Sequence, residues 1–591
     1  MTRPSGCSAY RGPVTSLPRP GVRRRRWPVA LAAALSVSVL AACSGGDPIV
    51  TGARPNAGPV QPVVTARAAM PLTDLPGFQA PTSLGEGSYG RPIVNAAGDV
   101  TWTVYDAANR PIADYAPSQQ VAWGSGSTYT DLPGVIAWRG NNARSAPTYG
   151  TADIRDKKLS VAWTHDVGAV KADGSYFPGA GWTGQPLLVK WPAETKKAMH
   201  LPEADVRDDS FVEVIYPVFD GHVYRLSLAD GSQTRPPIDA QFGFKGTGSI
   251  DPRGYPLLYS GQGLNENGDV TGPWQYKIFD LIQNKQVASI NGTDPVSHRA
   301  DPITWGAFDS SALIDRESDT LIEPGENGIV YKAKLNAVYD PKAGTVSVDP
   351  QITKMTYRTP TSRQYGIESS AVAWKNLMFA NDNDGYLICW DATTLQVVWA
   401  RQIVDNSDAT PVLDDSDGHP YLYVGNSVGW RGADRRDQVT NLRKIDALTG
   451  EQVWQYDLPA YYDFHVKGGL LASPLLGQGE VSDLVFFNVG KTTAPSEGTL
   501  VALDKKTGQV AWSRSLEHYS WSSPVLIHGA DGHEYGAFGD SAGVVHLFDP
   551  NTGRDYSTLS LGANVEASIA AYDNMLVVAS YNQKIYGIRV S

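Results

Sequence analysis

Cysteine is nearly absent from this sequence of 591 residues, which contains only Cys7, Cys43 and Cys389. The first two lie before residue 44, so a single cysteine remains in the part of the chain that is long enough to fold. An intrachain disulfide is therefore excluded there. Cys389 stands in the apolar run GYLICWD, where we expect it to be a small buried hydrophobic residue.

The chain also lacks a hydrophobic run of transmembrane length. The run WPVALAAALSVSVLAA, residues 27–42, has 16 residues, whereas a membrane-spanning helix needs roughly 20. Seven arginines precede it, and it ends in LAAC at Cys43, which resembles a bacterial lipobox. We expect residues 1–42 to be a lipoprotein signal peptide and Cys43 to be the acylated mature N-terminus. An ordinary signal peptide with a chance cysteine is the alternative.

Positive charge is scarce. The whole chain has 50 basic and 61 acidic residues, and removal of residues 1–42 leaves 43 basic residues and a net charge of −18. This balance argues against nucleic acid or an anionic lipid surface as the main partner. It is typical of a soluble domain that a lipid anchors to the outer side of a membrane without spanning it.

The remaining chain divides into three predicted parts. Residues 43–90 are rich in glycine, proline and alanine, which predicts a flexible tether. Residues 91–150 form a predicted small β-rich extension on the rim of the fold, beginning with a hairpin in DVTWTVYDAANRPIADYA. Residues 151–591 are too many for one ordinary core, so internal repeats are expected.

A short hairpin pattern recurs along the third part. In LVALDKKTGQVAW an aspartate precedes a tryptophan by eight residues, and two other segments keep this spacing. The aspartate can accept hydrogen bonds from the turn amides, the glycine supplies a positive φ, and the tryptophan can pack on a neighbouring copy. The residues of this structural unit are Asp391, Trp399, Asp446, Gly450, Trp454, Asp504, Gly508, Trp512, Asp549 and Gly553.

The repeats predict an all-β fold, an eight-bladed β-propeller of four-stranded antiparallel blades. Their anchor positions fall at residues 227, 280, 340, 391, 446, 504 and 549, and no helical segments separate them. The chain ends after three strands of a further unit, and KLSVAWTHDVG around Trp163 can supply the fourth. The N-terminal and C-terminal strands would then close the ring in one blade. Seven blades remain the alternative.

The pattern Ala-x-Asp-x-x-Thr-Gly-x-x-x-Trp, complete from Ala502 to Trp512, resembles the tryptophan-docking repeat of quinoprotein dehydrogenase-like propellers, also called pyrroloquinoline quinone (PQQ) repeat proteins. The segment AWRGNNARSAPTYG resembles the Arg-Gly-Asn segment that precedes the first blade in many of them. The resemblance implies an eight-bladed propeller, but it does not by itself imply a function.

The resemblance implies one of two kinds of protein. In PQQ-dependent alcohol dehydrogenases a calcium or lanthanide ion polarises the quinone, and adjacent cysteines commonly form a disulfide over it. This sequence has no adjacent cysteines and no set of residues matching those metal ligands, although sugar dehydrogenases also lack the disulfide. The lipoprotein scaffold BamB has PQQ-like blades without a cofactor, and the lipobox and tether here fit that use.

We therefore expect a membrane-anchored extracytoplasmic propeller that acts as a non-enzymatic binding or scaffold protein for a protein or cell-surface ligand. A PQQ-dependent oxidoreductase, with PQQ and calcium in the channel, is the alternative, and polysaccharide recognition by channel aromatics is a third possibility. The sequence favours no cofactor and no nucleic acid. Whether the anchor lies in a cell membrane or an outer membrane stays open.

Propellers bind ligands at the mouth of the central channel, near the start of each innermost strand. Carboxylates, a lysine and aromatic side chains there could bind a cation or a polar ligand, or they could solvate the channel and hydrogen-bond neighbouring blades. No catalytic residue or metal site is assigned. The candidate mouth residues are Trp305, Asp309, Glu368, Asp408, Lys467, Trp521 and Glu566.

Overall fold

The recurring apolar strands form eight antiparallel sheets, arranged as the blades of one β-propeller. The computed structural model describes residues 50–51, 100–172, 174–181, 184–297, 305–359, 366–403, 405–429, 439–462 and 467–591. The expected signal peptide, Cys43 and all of the expected tether except residues 50–51 lie outside these ranges. The predicted all-β, eight-bladed fold is confirmed.

The first four blades lie in sequence order, and each has its innermost strand first in the chain. Blade 1 contains Leu187–Val189, Glu213–Pro217, His222–Ser227 and Ile238–Asp239; blade 2 contains Ser249–Ile250, Leu257–Gly261, Gln275–Asp280 and Lys285–Asn291; blade 3 contains Leu313–Asp315, Thr320–Pro324, Ile329–Lys334 and Gln351–Arg358; blade 4 contains Val372–Trp374, Leu377–Asn381, Tyr386–Asp391 and Val397–Gln402.

The other four blades follow the same order, except for the last strand of blade 8. Blade 5 contains Val412–Asp414, Tyr421–Gly425, Val439–Asp446 and Gln452–Pro459; blade 6 contains Leu475–Leu476, Leu484–Gly490, Gly498–Asp504 and Val510–Leu516; blade 7 contains Val525–His528, Glu534–Gly539, Val544–Phe548 and Asp555–Ser560; blade 8 contains Ala570–Tyr572, Met575–Ser580, Lys584–Val590 and Leu159–Asp166.

Several short helices and strands lie outside the four-stranded blades. The helices Ala193–Ala198 and Glu203–Arg207 connect the first two strands of blade 1, and the 3-10 turns are Gly126–Thr128 and Gly479–Val481. None of the helices described is long and apolar enough to cross a membrane. Three short strands add to the edges of blades 3, 1 and 8: Thr101–Tyr105, Gly134–Val135 and Thr148–Tyr149. The remaining strands are Val50–Thr51 on the outer edge of blade 6, Ser427–Val428 and Gly468–Leu470 beside that blade, and the hairpins Ala169–Ala172 with Ser175–Pro178, Glu266–Asn267 with Val270–Thr271, and Val338–Asp340 with Thr345–Ser347.

Blade 8 closes the ring with strands from both ends of the propeller, as predicted. Leu159–Asp166 pairs antiparallel with Lys584–Val590, and Trp163 lies opposite Gly587. The indole of Trp163 then donates a hydrogen bond of 2.8 Å to the carbonyl of Leu228 in blade 1. The closing strand therefore completes one sheet and also contacts the next.

The tryptophans of the repeats join adjacent blades. Trp454 of blade 5 is buried against the turn of blade 6, where its indole donates to the Lys505 carbonyl at 3.0 Å. Gly508 in that turn has a φ of +71°, and a Cβ there would lie 2.7 Å from the indole. The same contact joins Trp163 to Gly231, Trp399 to Gly450 and Trp512 to Gly553. Glycine is thus required both by the turn and by the ring packed on it.

The aspartates that open these turns hold them in shape. The Asp504 carboxylate accepts hydrogen bonds from the amides of Lys506 at 3.0 Å and Thr507 at 2.7 Å. Asp340 differs from the predicted pattern, because it lies in a hairpin inserted between the third and fourth strands of blade 3. Its carboxylate caps the turn of that hairpin instead. The spacing between Asp340 and Gly344 therefore predicted a turn correctly. That turn belongs to the inserted hairpin and does not directly join the third and fourth strands of blade 3.

The segment before the propeller departs from the expected rim hairpin. Thr101–Tyr105 forms a fifth, outermost strand of blade 3 by pairing with Gln351–Arg358, and its predicted partner makes only the isolated bridge between Tyr105 and Pro111. Residues 134–149, here called the central segment, lie instead at the middle of the ring. A hairpin pattern in the sequence predicts a turn, but it does not show that the first strand will pair with the edge of a neighbouring blade.

The central segment contacts the innermost part of every blade, in blade order. Between Val135 and Arg144 its side chains are buried. The contacts, from blade 1 to blade 8, are Val135 with Leu188, Ile136 with Ile250, Trp138 with Ser311, Asn142 with Ala373, Ala143 with Leu413, Ser145 with Gln478, Thr148 with Leu526, and Tyr149 with Tyr572. The chain itself therefore fills the centre of the propeller.

Candidate functional site

The channel mouth is built from equivalent positions in several blades. Asp309, Glu368, Asp408, Trp521 and Glu566 each lie four residues before the innermost strand of their blade. Lys467 lies farther from its innermost strand, which starts at Leu475. An equal offset from equivalent strands places these side chains at the same level around the channel.

Two mouth residues were missed by sequence reasoning. Lys245 also stands four residues before an innermost strand, that of blade 2, so the offset rule alone could have found it. Glu326 lies in the connection between the second and third strands of blade 3, where no spacing rule points to it. Only the folded blade brings that connection to the channel.

Six of these side chains form a charged cluster, defined as Lys245, Asp309, Glu326, Glu368, Asp408 and Lys467. The Lys245 ammonium pairs with the Asp309 carboxylate and lies 3.7 Å from Glu326 Oε1. Carboxylate oxygens of Asp309, Glu326 and Glu368 lie within 4.8 Å of one another. Across the mouth, Lys467 Nζ lies 2.8 Å from Asp408 Oδ2.

The charged cluster perturbs the ionisation of its members. Burial raises the pKa of Asp309, Glu326 and Asp408, and for Glu326 the charges of Asp309 and Glu368 raise it further, well above its usual range. Burial acts to lower the pKa of Lys245 and Lys467, but the facing carboxylates outweigh it and raise both values. Both lysines are therefore cations at neutral pH.

Aromatic and amide groups support the charged cluster. Trp305 donates from its indole to Glu326 Oε2 at 2.5 Å and lies against Trp274, with ring centroids 4.7 Å apart. Asn383 donates to Glu368 Oε1 at 2.8 Å. These contacts hold the two glutamates in defined orientations.

Two predicted mouth residues make other contacts. Glu566 accepts hydrogen bonds from Asn564 at 2.9 Å and from the Tyr581 hydroxyl, and burial raises the pKa of its carboxyl. Trp521 is buried, and its ring lies 5.5 Å from that of Tyr519. The structure thus gathers Trp305, Asp309, Glu368, Asp408 and Lys467 around one network, and gives Glu566 and Trp521 local partners.

A ring of hydroxyl side chains lies just below the mouth. In several blades the residue two positions before the innermost strand accepts a hydrogen bond from the equivalent amide of the preceding blade, at 2.7–2.9 Å. The accepting residues are Thr247, Ser370, Thr410, Ser523 and Ser568. The Ser or Thr two positions before the inner strand recurs in every blade except blade 1, which has Gln185, and it is visible in the sequence. Its pairing with the neighbouring blade is not visible there.

Two arginines of the central segment form the floor beneath this ring. Arg144 donates to the carbonyls of Ala371, Trp138 and Ser311 at 2.6–3.1 Å. Arg139 donates to the Pro524 carbonyl at 3.0 Å and to the Arg144 carbonyl at 3.2 Å. Burial lowers the pKa of Arg139 to about 9 and that of Arg144 to about 10, so both remain charged at neutral pH.

A cavity of about 580 Å³ opens on the other side of the central segment. It lies between that segment and the far ends of the innermost strands of blades 5 and 6. Its polar lining includes Ser125, Ser127, Asn141, Ser145 and Gln478, and many of these groups are already hydrogen-bonded to one another. The two faces of the propeller are therefore separated by the chain's own residues.

The residues at the mouth do not fit a calcium ion with a bound quinone. Asp309, Glu326 and Glu368 are the group of carboxylates that could hold a divalent ion, but the ammonium of Lys245 pairs with Asp309 and faces Glu326. An ammonium and a divalent cation repel each other at such distances. Cys389 is a buried residue of blade 4, and no adjacent cysteine exists to form the disulfide of the alcohol dehydrogenases.

The known proteins that are similar to this chain include both BamB and a quinohemoprotein alcohol dehydrogenase. A family model described as "Outer membrane protein assembly factor BamB" matches residues 418–555. The BamB of Yersinia pestis is 25% identical over 235 residues, which cover 37% of this chain and 49% of that protein. The chain spans about half the length of the curated relatives it matches.

Solved structures that are similar to this chain include BamB from Moraxella catarrhalis, with 17% identity, a TM-score of 0.42, and coverage of 64% of this chain and 93% of that one. A quinohemoprotein alcohol dehydrogenase from Pseudomonas putida HK5 has 12% identity, a TM-score of 0.49, and coverage of 78% and 80%. The chain is an eight-bladed β-propeller. Over part of its length it is similar to the PQQ-like repeats of BamB.

Proposed function

We propose that this protein is a lipid-anchored, extracytoplasmic scaffold that binds a protein partner through the mouth face of its propeller and has no enzymatic activity. The observation that carries the proposal is the filled channel. The central segment contacts all eight blades, and the carboxylates above it are paired with lysines of the same chain. A small-molecule active site needs open, convergent polar groups, and here these groups are engaged with one another.

Long connections occur on both faces of the propeller. At the mouth face, residues 167–186 link the last strand of blade 8 to the first strand of blade 1; on the opposite face, residues 190–212 link the first two strands of blade 1, and residues 335–350 link the third and fourth strands of blade 3. Long connections on a rigid scaffold are usual carriers of recognition. Loop length therefore does not distinguish the two faces, and we propose the mouth face for its charged groups.

The charge of the mouth favours a basic partner surface. The charged cluster contains four carboxyl groups and two ammonium groups, so its carboxyl groups outnumber the ammonium groups even with the Glu326 carboxyl protonated. The mature chain is expected to carry a net charge of −18. A negative rim attracts a basic surface and accelerates its association at low salt. We therefore propose that the partner presents lysine or arginine side chains to this mouth.

A lipid anchor at Cys43 is part of the proposed function. Acylation at Cys43 and the following tether would hold the propeller outside the membrane, with reach enough to meet envelope proteins. Replacing Cys43→Ser is expected to release the protein from the membrane fraction without changing its folding. Fractionation of cells expressing each form measures this, and equal membrane retention of both forms would contradict the lipid anchor.

Site-specific photo-crosslinking in intact cells tests the binding face. A photoreactive residue at Tyr462 or Asn582, on the mouth face, should give a discrete protein adduct, whereas one at Asp417 or Lys506, on the opposite face, should not. The adduct should weaken when Asp408→Lys reverses one mouth charge. Adducts of equal yield from both faces would refute the proposal.

Titration with PQQ and calcium tests the enzymatic alternative. The purified protein should bind no PQQ in calorimetry and should reduce no redox dye with alcohols or sugars. Stoichiometric PQQ binding together with dye reduction would overturn the scaffold proposal.

A further inference from the structure

Arg139 carries a buried charge without an acidic partner among the residues that the structure describes. Its side chain is 1% exposed, and its hydrogen bonds go to the backbone carbonyls of Arg144 and Pro524. The second terminal nitrogen, Nη2, is buried and makes no hydrogen bond to any described group. A buried guanidinium of this kind is costly unless something neutralises it.

Two other buried arginines of this protein are paired with carboxylates. Arg225 pairs with Glu213 at 2.9 Å and Arg514 with Asp555 at 2.6 Å. Arg144, beside Arg139, donates to three backbone carbonyls and forms no ion pair with a described residue. For Arg139, burial is the cause that shifts its pKa, to about 9, and no opposite charge counteracts it. Arg139 and Arg144 therefore differ from the paired arginines, and they leave positive charge at the floor of the channel.

Gln185 places a second unused donor beside the backbone of Arg139. Its Oε1 accepts a hydrogen bond of 3.1 Å from the backbone amide of Arg139, and its own backbone amide donates to Thr247. The Gln185 Nε2 atom is buried and, within the described ranges, has no acceptor. Because Oε1 accepts from the Arg139 backbone amide, the Nε2 atom of the same side-chain amide lies within a few ångströms of that backbone.

The backbone at this point is also strained. Arg139 has a φ of +48° and Arg144 a φ of +58°, a region that side chains other than glycine rarely adopt. Residues persist in such conformations where the surroundings hold them, commonly at ligand sites. Here the strain orients two guanidinium groups into the centre of the ring.

We propose that Arg139 Nη2 and Gln185 Nε2 hold a small monovalent inorganic anion, of the halide type, at the floor of the propeller channel. Both groups are donors, so the occupant must accept hydrogen bonds. A water molecule would accept from them but would leave the guanidinium charge uncompensated and would need acceptors for its own hydrogens. Because both donor atoms are buried, the occupant must be small.

The proposed role of the anion is to neutralise the floor so that the central segment can close the channel. The site is independent of the proposed partner binding, because it lies beneath the mouth and uses none of the charged cluster. An anion bound only by the folded state raises stability in proportion to the logarithm of its concentration. Folding stability should therefore depend on halide, whether or not the protein binds a partner.

Crystals of the full chain grown with bromide in place of chloride test the site directly. An anomalous bromide peak within hydrogen-bond distance of Arg139 Nη2 and Gln185 Nε2 is expected. Ordered water at that position, with bromide found only on the protein surface, would overturn the proposal.

Thermal unfolding supplies a second test in solution. In sodium bromide the wild-type Tm should rise with concentration above its value in sodium gluconate of equal ionic strength. Gln185→Glu keeps the acceptor for the Arg139 amide and replaces Nε2 with a carboxylate oxygen, so it should supply the counter-charge itself and abolish the bromide-dependent rise.

Gln275→Glu is the matched control, because it adds the same charge at a half-buried glutamine of blade 2 that hydrogen-bonds Ser289. It should retain the full bromide-dependent rise. A Gln185→Glu protein that keeps the rise, or a wild type that shows none, would refute the site.

Discussion

At the scale of single residues, the indole of each repeat tryptophan and the glycine beneath it act as one unit. Trp454 packs on Gly508 of the next blade, and its Nε1 bonds the turn beside it. The positive φ at Gly508 and the contact with the ring both exclude a side chain. These residues fasten sheet to sheet, and none of them faces the channel mouth.

A double-mutant cycle on Trp454 and Gly508 measures this coupling. Trp454→Ala should lower the free energy of unfolding by about 3–5 kcal/mol, since it removes a fully buried indole. Gly508→Ala should lower it through both the turn strain and the clash with the ring. Because Trp454→Ala removes the clash, the double variant should lose less than the sum, as measured by urea denaturation. Additive losses would contradict the docking unit.

Glu323 shows how burial affects one titrating group. The side chain is buried in blade 3, and burial raises the pKa of its carboxyl to about 8, although the Ser310 hydroxyl and the Arg144 charge act in the opposite direction. The folded protein therefore takes up a proton at neutral pH that the unfolded chain does not hold. The contribution of this carboxyl to the free energy of unfolding is fully present below its pKa in the unfolded chain, and it is lost as the pH rises through about 8.

Glu323→Gln should flatten this pH dependence. Roughly three pKa units at 1.36 kcal/mol each correspond to a difference on the order of 4 kcal/mol between pH 5 and pH 9. The free energy of unfolding, measured in urea at pH 5, 7 and 9, should fall more steeply in the wild type than in the variant. Parallel pH profiles of the two proteins would show that this carboxyl is not the cause.

At the scale of elements, the central segment is the least expected part of the fold. Its backbone bonds to the innermost strands of blades 1, 2, 4, 5 and 8, and side-chain hydrogen bonds join it to blades 3, 6 and 7. It fills the space that those strands leave. Arg144 anchors it through three carbonyl acceptors on the segment and on blades 3 and 4. Because many blades hold the central segment at once, we expect it to unfold only when the blades of the ring separate.

Arg144→Met should lower the free energy of unfolding by about 3 kcal/mol or more. The variant leaves three buried carbonyls without their donor, and each such loss costs about 1–3 kcal/mol. Arg316→Met is the control, since Arg316 pairs at the surface with an exposed Asp131, where a loss of at most about 1 kcal/mol is expected. Chemical denaturation of both variants compares them; equal losses would mean that the anchor role is wrong.

At the scale of the whole molecule, stability depends on joining strands that are more than 400 residues apart in sequence. Leu159–Asp166 completes blade 8 with Lys584–Val590, and no blade of the closed ring then leaves an edge unpaired at this junction. Gly587 lies opposite Trp163, and a Cβ at Gly587 would lie 2.1 Å from that indole. The junction therefore tolerates no side chain at this position.

Gly587→Val should weaken the closure of the ring. Overpacking in a buried site costs about 1–3 kcal/mol, and here it displaces the tryptophan that also contacts blade 1. Hydrogen exchange should become faster in both closing strands, 159–166 and 584–590. Arg589→Val, at an exposed position of the same strand, should leave exchange unchanged. If both variants exchange alike, the junction is not the weak point of the ring.

Much of the architecture could be predicted because the repeat is local. An aspartate, a glycine and a tryptophan within about ten residues specify one turn and one contact, so the pattern of Asp504 to Trp512 marked blades wherever it was complete. Where the pattern weakened, as at Asp340, the turn was real but belonged to an inserted hairpin. Local patterns identify turns, but the pairing of neighbouring strands decides which sheet contains the turn.

The site was less accessible to sequence reasoning. Asp309, Glu368 and Asp408 were found from their offset to the inner strands, and Lys245 could have been found in the same way. Glu326 and the pairing of Lys245 with Asp309 depend on distances across the channel, which no spacing along the chain encodes.

The sequence alone predicted most of the strands and turns, a ring of eight blades with seven as the alternative, and the strand that closes the ring, because each depends on residues close together or on a missing fourth strand. The tertiary structure alone decided that residues 134–149 fill the channel and that the mouth carboxylates face lysines. Those facts arise only when eight blades meet at one axis, where charges and backbone groups from distant segments must satisfy one another.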